Sequence, residues 1–121
     1  MKVYTQEELQ NALKVLLSTI SNCEKIQPKF REGTSQFSLL KNRIKALNIS
    51  KCLINNDGSI MNYTKEDLEK ALSPVISIIN KTQKAQGKYA KDSSQYRRFS
   101  PIIEAMYISQ SLITNEIRKR N

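Results

Sequence analysis

The chain consists of two similar segments in tandem. Residues 63–116 align without a gap onto residues 4–57 at a constant shift of 59, and 20 of the 54 aligned positions are identical. A gapless match of this length indicates a duplicated structural unit rather than shared helical composition. The sequence therefore predicts one domain, residues 1–121, made of repeat 1 (4–57), a turn (58–62), repeat 2 (63–116) and a basic C-terminal end (117–121).

Each repeat predicts a pair of helices. Thr5 followed by Glu8, and Thr64 followed by Asp67, are typical helix N-caps with a carboxylate three residues on. Apolar residues then recur at helical spacing in both repeats; in the first helix of each they are Leu9, Leu13, Leu16, Ile20 and Cys23, with Ala12 and Leu17 widening the stripe, and Leu68, Leu72, Val75 and Ile79. Because helix pairs of this kind bury their apolar faces on each other, we expect an all-α antiparallel four-helix bundle with an approximate internal twofold axis.

The interruptions of the pattern predict where helices turn or bend. Gly33 and Asp92 lie in the polar segments that separate the two helices of each repeat. Pro74 lies inside the third helix and predicts a kink there. Ser100 followed by Pro101 is compatible with two alternatives: a fourth helix that starts late, with Ser100 as its cap, or a longer helix that is kinked at Pro101.

The sequence lacks the residues that several common catalytic, metal and nucleotide sites require. The chain has no His, which excludes a Ser-His-Asp triad and a His-bearing zinc site, and it has no Gly-rich phosphate loop. Its acidic pairs fall in the first turns of helices, where carboxylates favour the helix dipole. We therefore expect no enzyme activity, no catalytic residue, no metal ligand and no cofactor.

Two further features bear on where the protein works. The chain contains no run of about 18 apolar residues, the length needed to span a membrane. Its N-terminal segment becomes acidic within a few residues, unlike a signal peptide. Cys23 and Cys52 are the only thiols, and at helical rise they would lie roughly 13 Å apart along the predicted hairpin, too far for a disulfide. Free, half-buried thiols, no membrane association and a cytoplasmic location are the corresponding expectations.

Positive charge is the strongest functional signal. Twenty Lys and Arg against eleven Asp and Glu give a net charge of +9. Residues 81–98 alone hold six of the cations and one carboxylate, with aromatic residues between them, whereas the matching segment 22–39 has a net charge of only +1. Basic clusters of this kind bind phosphates, and rings beside them can stack on bases. A nucleic acid or an anionic nucleotide is the predicted partner, against the alternative of an ordinary solvated lysine-rich surface.

A set of polar residues around the two inter-helix turns predicts where the anion binds. Lys25 and Lys29 share a helix face, and the free N–H groups at the start of the next helix lie at the same turn. Most of the set is identical in both repeats: Lys25, Gln27, Lys29, Ser35 and Gln36 in the first, and Lys84, Gln86, Lys88, Ser94 and Gln95 in the second, extended by Arg97 and Arg98. In the alternative interpretation these residues only cap the turns and bond one another.

A second class of function fits the same composition. Small basic four-helix proteins that confer bacteriocin immunity are similar in size, charge and class, although no motif links them to this chain. A protein–protein interaction module of bacterial or phage origin, of the immunity or inhibitor type, is therefore the alternative function. Self-association as a homodimer, through an apolar stripe left uncovered, is a third possibility.

Overall fold

The computed structural model describes residues 3–121, and the prediction of an all-α fold is confirmed. No strand occurs in that range. The four helices and two intervening 3-10 turns are α1 (Gln6–Ile26), a turn at Gln27–Lys29, α2 (Ser35–Ile54), a turn at Gly58–Asn62, α3 (Lys65–Gln86) and α4 (Ser94–Lys119).

The predicted starts of α1 and α3 are confirmed. Thr5 Oγ1 accepts the Glu8 N–H at 3.0 Å, and Glu8 Oε1 accepts the Thr5 N–H at 2.9 Å. Thr64 and Asp67 make the same two hydrogen bonds at 3.0 and 2.9 Å. Each reciprocal pair satisfies two backbone donors that a helix N-terminus leaves without intrahelical partners.

Of the two alternatives at Pro101, the late start of the fourth helix is wrong. α4 begins six residues before Ser100, because Ser93 caps it by accepting the Tyr96 N–H at 3.1 Å. Pro101 lies inside α4, and Pro74 lies inside α3. A proline removes one backbone hydrogen bond from a helix, and a capped, packed helix on both sides tolerates that loss.

The helices pack as a four-helix bundle. α1 contacts α2 and α4, α3 contacts α2 and α4, and α2 also contacts α4 across the bundle, whereas the backbones of α1 and α3 lie farther apart. Small residues occupy the buried side of the two diagonal helices: Ala46 and Ser50 on α2, and Ala105 and Ser109 on α4. Each serine donates its hydroxyl to the alanine carbonyl one turn earlier, at 3.0 and 2.9 Å, so both buried hydroxyls are paired within their own helices.

Much of the core lies at matching positions of the two repeats. Seven pairs of residues 59 apart are buried in both members: Ala12 and Ala71, Leu16 and Val75, Ile20 and Ile79, Ala46 and Ala105, Leu47 and Met106, Ile49 and Ile108, and Ser50 and Ser109. Burial of each large apolar side chain contributes about 1.5–3 kcal/mol. Leu17 corrects the predicted stripe, because its side chain is 48% exposed on the outer face of α1.

Both thiols are free, as predicted, and both are buried rather than half-buried. Cys52 Sγ lies 3.4 Å from Ser59 Oγ. Burial raises the pKa of the Cys23 thiol, and the positive charge of Arg43 acts in the opposite direction. The Nε and Nη2 atoms of Arg43 are buried and have no hydrogen-bond partner among residues 3–121.

Candidate anion-binding surface

The predicted residues fall into two segments, which we call the first basic loop (residues 25–36) and the second basic loop (residues 84–98). Each segment covers the end of one helix, the connection and the start of the next helix. Ten of the twelve predicted residues are exposed: Lys25, Lys29, Ser35, Gln36, Lys84, Lys88, Ser94, Gln95, Arg97 and Arg98. Gln27 is half-buried and Gln86 is buried.

The two loops turn in the same way. Gly33 has a φ of +93°, and Asp92, 59 residues later, has a φ of +68°, so both occupy the left-handed region. In each loop the next residue, the N-cap of the following helix, donates its N–H to the carbonyl three residues earlier, at 3.1 and 3.0 Å. A glycine adopts this backbone conformation without strain, and aspartate tolerates it better than most residues.

The polar residues that open α2 and α4 bond each other in identical fashion. Ser35 donates its hydroxyl to Gln36 Oε1 at 3.3 Å, and Ser94 donates to Gln95 Oε1 at the same distance. All four side chains remain exposed. These contacts fit the interpretation that the serine and glutamine residues stabilise the turns, while their outward position leaves them accessible to a ligand.

Gln86 does not face solvent. Its side-chain Nε2 donates to the Tyr96 carbonyl at 2.9 Å and to Ser100 Oγ at 3.2 Å, which uses both amide hydrogens inside the α3–α4 pair. Gln27, at the matching position, makes no side-chain hydrogen bond within the described part of the chain. The presence of glutamine at this position therefore has a structural explanation in the second repeat, where Gln86 holds α3 against α4.

The lysines and arginines of the second basic loop are not neutralised within the protein. Lys84, Lys88, Arg97 and Arg98 are all exposed, and none forms an ion pair with a described carboxylate. The ion pairs found between residues 3 and 121 are Lys45–Asp67, Lys70–Glu66 and Arg120–Glu116. The positive charge of this loop is thus available to an external anion.

An exposed aromatic residue lies between these cations in the sequence. Tyr89 is 44% exposed, and its ring stacks on Phe99 with the centroids 5.9 Å apart and the planes at 27°. Phe30, at the matching position of the first basic loop, is 37% exposed. Periodicity left open whether these rings are buried, because each follows the end of a helix and belongs to no apolar stripe.

Two clefts in the bundle are related by the shift of 59. A cleft of about 600 Å³ lies between α1 and α4, and one of about 280 Å³ lies between α2 and α3. Every residue lining the smaller cleft has its counterpart, 59 residues away, in the lining of the larger one. The smaller cleft is lined by Asn42, Lys45, Ala46, Asp67, Lys70, Ala71, Ser73 and Pro74. In the same order, their counterparts in the larger cleft are Pro101, Glu104, Ala105, Glu8, Asn11, Ala12, Lys14 and Val15, and Tyr4, Tyr107 and Ile108 also line it. None of the twelve predicted anion-binding residues lines either cleft.

The clefts differ in charge. Lys45 Nζ lies 2.8 Å from Asp67 Oδ1 and bridges α2 to α3 at the smaller cleft. The hydrogen bond from Lys45, together with the Thr64 N–H, lowers the pKa of the Asp67 carboxyl from 3.8 to about 2. The corresponding residues of the larger cleft are Glu104 and Glu8, so a carboxylate stands there in place of the lysine.

Arg120 belongs to the predicted basic C-terminal end, but its guanidinium faces the protein. Nη2 donates to the Ile60 carbonyl at 2.9 Å, Nη1 donates to the Tyr63 carbonyl, and Nε donates to Glu116 Oε2 at 3.2 Å. Two of the three partners are some 60 residues away in sequence, so no local pattern could have revealed this role.

No protein-family model matches the chain, and the comparisons with curated proteins and with solved structures found no match either. Across residues 3–121, no group of three His, Cys, Asp or Glu side chains is placed to hold a metal ion. Within the same range, no helix combines the length and apolar character needed to cross a membrane.

Proposed function

We propose that the protein binds nucleic acid through its two basic loops, chiefly the second. The observation that carries the proposal is the exposed, unpaired cation group Lys84, Lys88, Arg97 and Arg98 around one turn. Each phosphate that a lysine or arginine neutralises releases condensed counterions, which drives binding at low salt. Lys25 and Lys29 extend the surface in the first basic loop, which has a net charge of +2 against +4 for the second.

The proposal includes the arrangement of the repeats as two antiparallel hairpins about an approximate twofold axis. Arg120, at the end of α4, contacts Ile60 and Tyr63 in the connection between α2 and α3. Tyr4, just before α1, lines a cleft together with Arg118 near the end of α4. Both contacts support an up-down-up-down order of helices, in which the two basic loops share the opposite end of the bundle.

Matching details support the twofold relation. The two clefts, the two left-handed turns and the two capping boxes all recur at the shift of 59. The set of helix pairs in contact is also the one that an exchange of α1 with α3 and of α2 with α4 would leave unchanged, although α3 packs on α4 more extensively than α1 packs on α2. In this arrangement the two basic loops lie at the same end of the bundle, where one long ligand can contact both.

An extended polyanion suits this surface better than a small nucleotide. Sites for small ligands are usually concave, with volumes of about 300–1,000 Å³. None of the clefts described above includes a residue of either basic loop. A polymer needs only a row of accessible cations at the spacing of its phosphates.

The test is a titration of labelled 20-nucleotide single strands and 20-base-pair duplexes, followed by fluorescence anisotropy at 50 and 200 mM salt. We expect binding that weakens steeply with salt, and a Lys84→Glu, Lys88→Glu variant that loses most of it. A Lys65→Glu, Lys119→Glu variant has the same net charge but leaves the loops intact, and should retain most of the affinity. No binding by the unmodified protein, or equal losses in the two variants, contradicts the proposal.

Exposed apolar side chains favour a second candidate, association with another copy of the chain. Leu17 is 48% exposed and Ile76, 59 residues later, is 38% exposed, so both repeats leave the same outer position uncovered. Light scattering at rising protein concentration tests this candidate. A dimer that dissociates in a Leu17→Ser, Ile76→Ser variant would support it, and a monomer at all concentrations would exclude it.

A further inference from the structure

We infer that the nucleic acid bound by the basic loops is single-stranded and that one unpaired base stacks on the ring of Tyr89. The inference rests on the proposed function and adds the class of nucleic acid and the residue that selects it. Its basis is the combination of an exposed, supported aromatic ring with unpaired cations on both helices that flank it.

The ring of Tyr89 is held in place but not covered. Stacking on Phe99 at 5.9 Å supports one face, while 44% of the residue stays in contact with solvent. A ring fixed before the ligand arrives loses little conformational entropy on binding. The Tyr89 hydroxyl makes no hydrogen bond to any described residue, so packing against Phe99 is what orients the ring.

Cations lie on both sides of this ring. Lys88 precedes Tyr89 directly and Lys84 lies one helical turn earlier, at the end of α3. Arg97 and Arg98 lie in the first turns of α4, on the helix that also carries Phe99. A strand whose phosphates contact these side chains passes over the ring with its bases free to turn toward it.

A duplex cannot use this ring in the same way. The bases of a duplex are already stacked on one another, so Tyr89 could stack on a base only by displacing an adjacent base, and otherwise would make no stacking contact. Stacking of an unpaired base on an aromatic side chain is worth about 1–3 kcal/mol. Duplex binding would therefore rest on the phosphate contacts alone, which carry no requirement for an aromatic residue.

Phe30 provides a second, weaker platform. It is 37% exposed, follows Lys29 directly and occupies the position that matches Tyr89. The first basic loop has a net charge of only +2, against +4 for the second basic loop. We therefore expect the second basic loop to dominate and Phe30 to contribute a smaller share.

The experiment compares variants of two equally exposed tyrosines against single-stranded and duplex DNA. Tyr89→Leu removes the ring, Tyr89→Phe keeps it, and Tyr107→Leu is the control, because Tyr107 is 47% exposed but lies on the α1–α4 cleft. We expect Tyr89→Leu to weaken binding of a labelled thymidine 20-mer by about 5-fold to 150-fold. Duplex binding by the same variant, and single-strand binding by the other two, should change less than twofold.

Circular dichroism shows whether the Tyr89→Leu variant folds. If it folds poorly, a change in the ligand tests the same inference with the unmodified protein. An abasic 20-mer has the same phosphates and no bases, and the unmodified protein should bind it at least fivefold more weakly than the thymidine strand. Equal affinity for the two strands overturns the inference, as does a Tyr89→Leu variant that binds single strands normally or loses single-strand and duplex binding alike. Failure to bind any nucleic acid contradicts the proposed function itself.

Discussion

The carbonyl oxygen of Ile60 accepts a hydrogen bond from Arg120 Nη2 at 2.9 Å, across 60 residues of sequence. The same guanidinium also contacts the Tyr63 carbonyl and the Glu116 carboxylate. This side chain and that of Glu116 are 16% and 13% exposed, so the charged contact is largely removed from water. The end of α4 is thereby fastened to the connection between the two repeats.

Replacing Arg120 with Met should destabilise the fold. The substitution leaves the Ile60 and Tyr63 carbonyls without this donor and Glu116 without its cation, and we expect the free energy of unfolding to fall by about 2 kcal/mol. Urea denaturation measures the change. Lys119→Met removes the same charge from an exposed neighbour with no hydrogen bond or ion pair in the described structure, and should change stability by less than about 0.5 kcal/mol. Equal effects of the two substitutions would contradict the role assigned to Arg120.

The Lys45–Asp67 pair predicts a specific acid dependence. Hydrogen bonds from Lys45 and from the Thr64 N–H hold the pKa of Asp67 at about 2, below its ordinary value of 3.8. Because the folded-state pKa is the lower one, the stabilisation is complete above about pH 4 and is lost as the pH falls through 2. An Asp67→Asn variant should therefore be less stable than the unmodified protein at pH 6, with the difference shrinking between pH 4 and pH 2. A difference that stays constant over this range in urea denaturation would show that Asp67 does not titrate as described.

The left-handed turn of the first basic loop should discriminate between small side chains. Gly33 has a φ of +93°, and nothing lies within 4 Å of a side chain added there, so substitutions meet backbone strain but no steric clash. We expect Gly33→Ala to cost about 1 kcal/mol of stability. Gly33→Asp should cost about half as much, because Asp92 already adopts this conformation at the matching position. Urea denaturation of the two variants gives the order, and an alanine variant as stable as the unmodified protein would be incompatible with the turn.

A single substitution tests whether the two clefts are equivalent. Glu104→Lys places a lysine at the larger cleft where Lys45 stands at the smaller one, across from Glu8 as Lys45 is from Asp67. We expect stability to rise by about 0.5 kcal/mol at low ionic strength, with the gain disappearing at 1 M salt. Glu104→Gln, which removes the carboxylate without adding a cation, should give a smaller increase. If lysine and glutamine have equal effects at both salt concentrations, the two clefts differ in geometry.

Helix starts were predictable because their determinants are local. The hydrogen bonds of Thr5 with Glu8, and of Thr64 with Asp67, join residues only three apart, so their spacing in the sequence is enough to identify them. The same holds for the all-α class, since apolar spacing of three and four is a property of each helix by itself. The start of the fourth helix stayed open because proline is typical of a first helical turn, whereas the cap is Ser93, eight residues before Pro101.

Features that depend on how helices meet could not be predicted in the same way. Gln86 shares its identity with Gln27, yet only packing of α3 on α4 turns its amide toward the Tyr96 carbonyl. In the sequence Arg120 looks like an ordinary surface cation, and only its hydrogen bond to the α2–α3 connection shows its structural role. The exposure of Tyr89 likewise depends on where Phe99 lies. Each of these roles is fixed by a neighbour that is distant in sequence, on which local spacing carries no information.

The contact between α2 and α4 has a consequence for how such a chain can arise. In the proposed twofold arrangement, the buried side of α2 with Ala46 and Ser50 would face the matching side of α4 with Ala105 and Ser109. One repeat therefore carries a self-complementary surface, of the kind by which two identical chains pair. Fusion of two copies makes that pairing intramolecular, so it no longer depends on protein concentration. Each half can then change its sequence independently of the other. The second basic loop carries more positive charge than the first, a difference that a pair of identical chains could not acquire in one half alone.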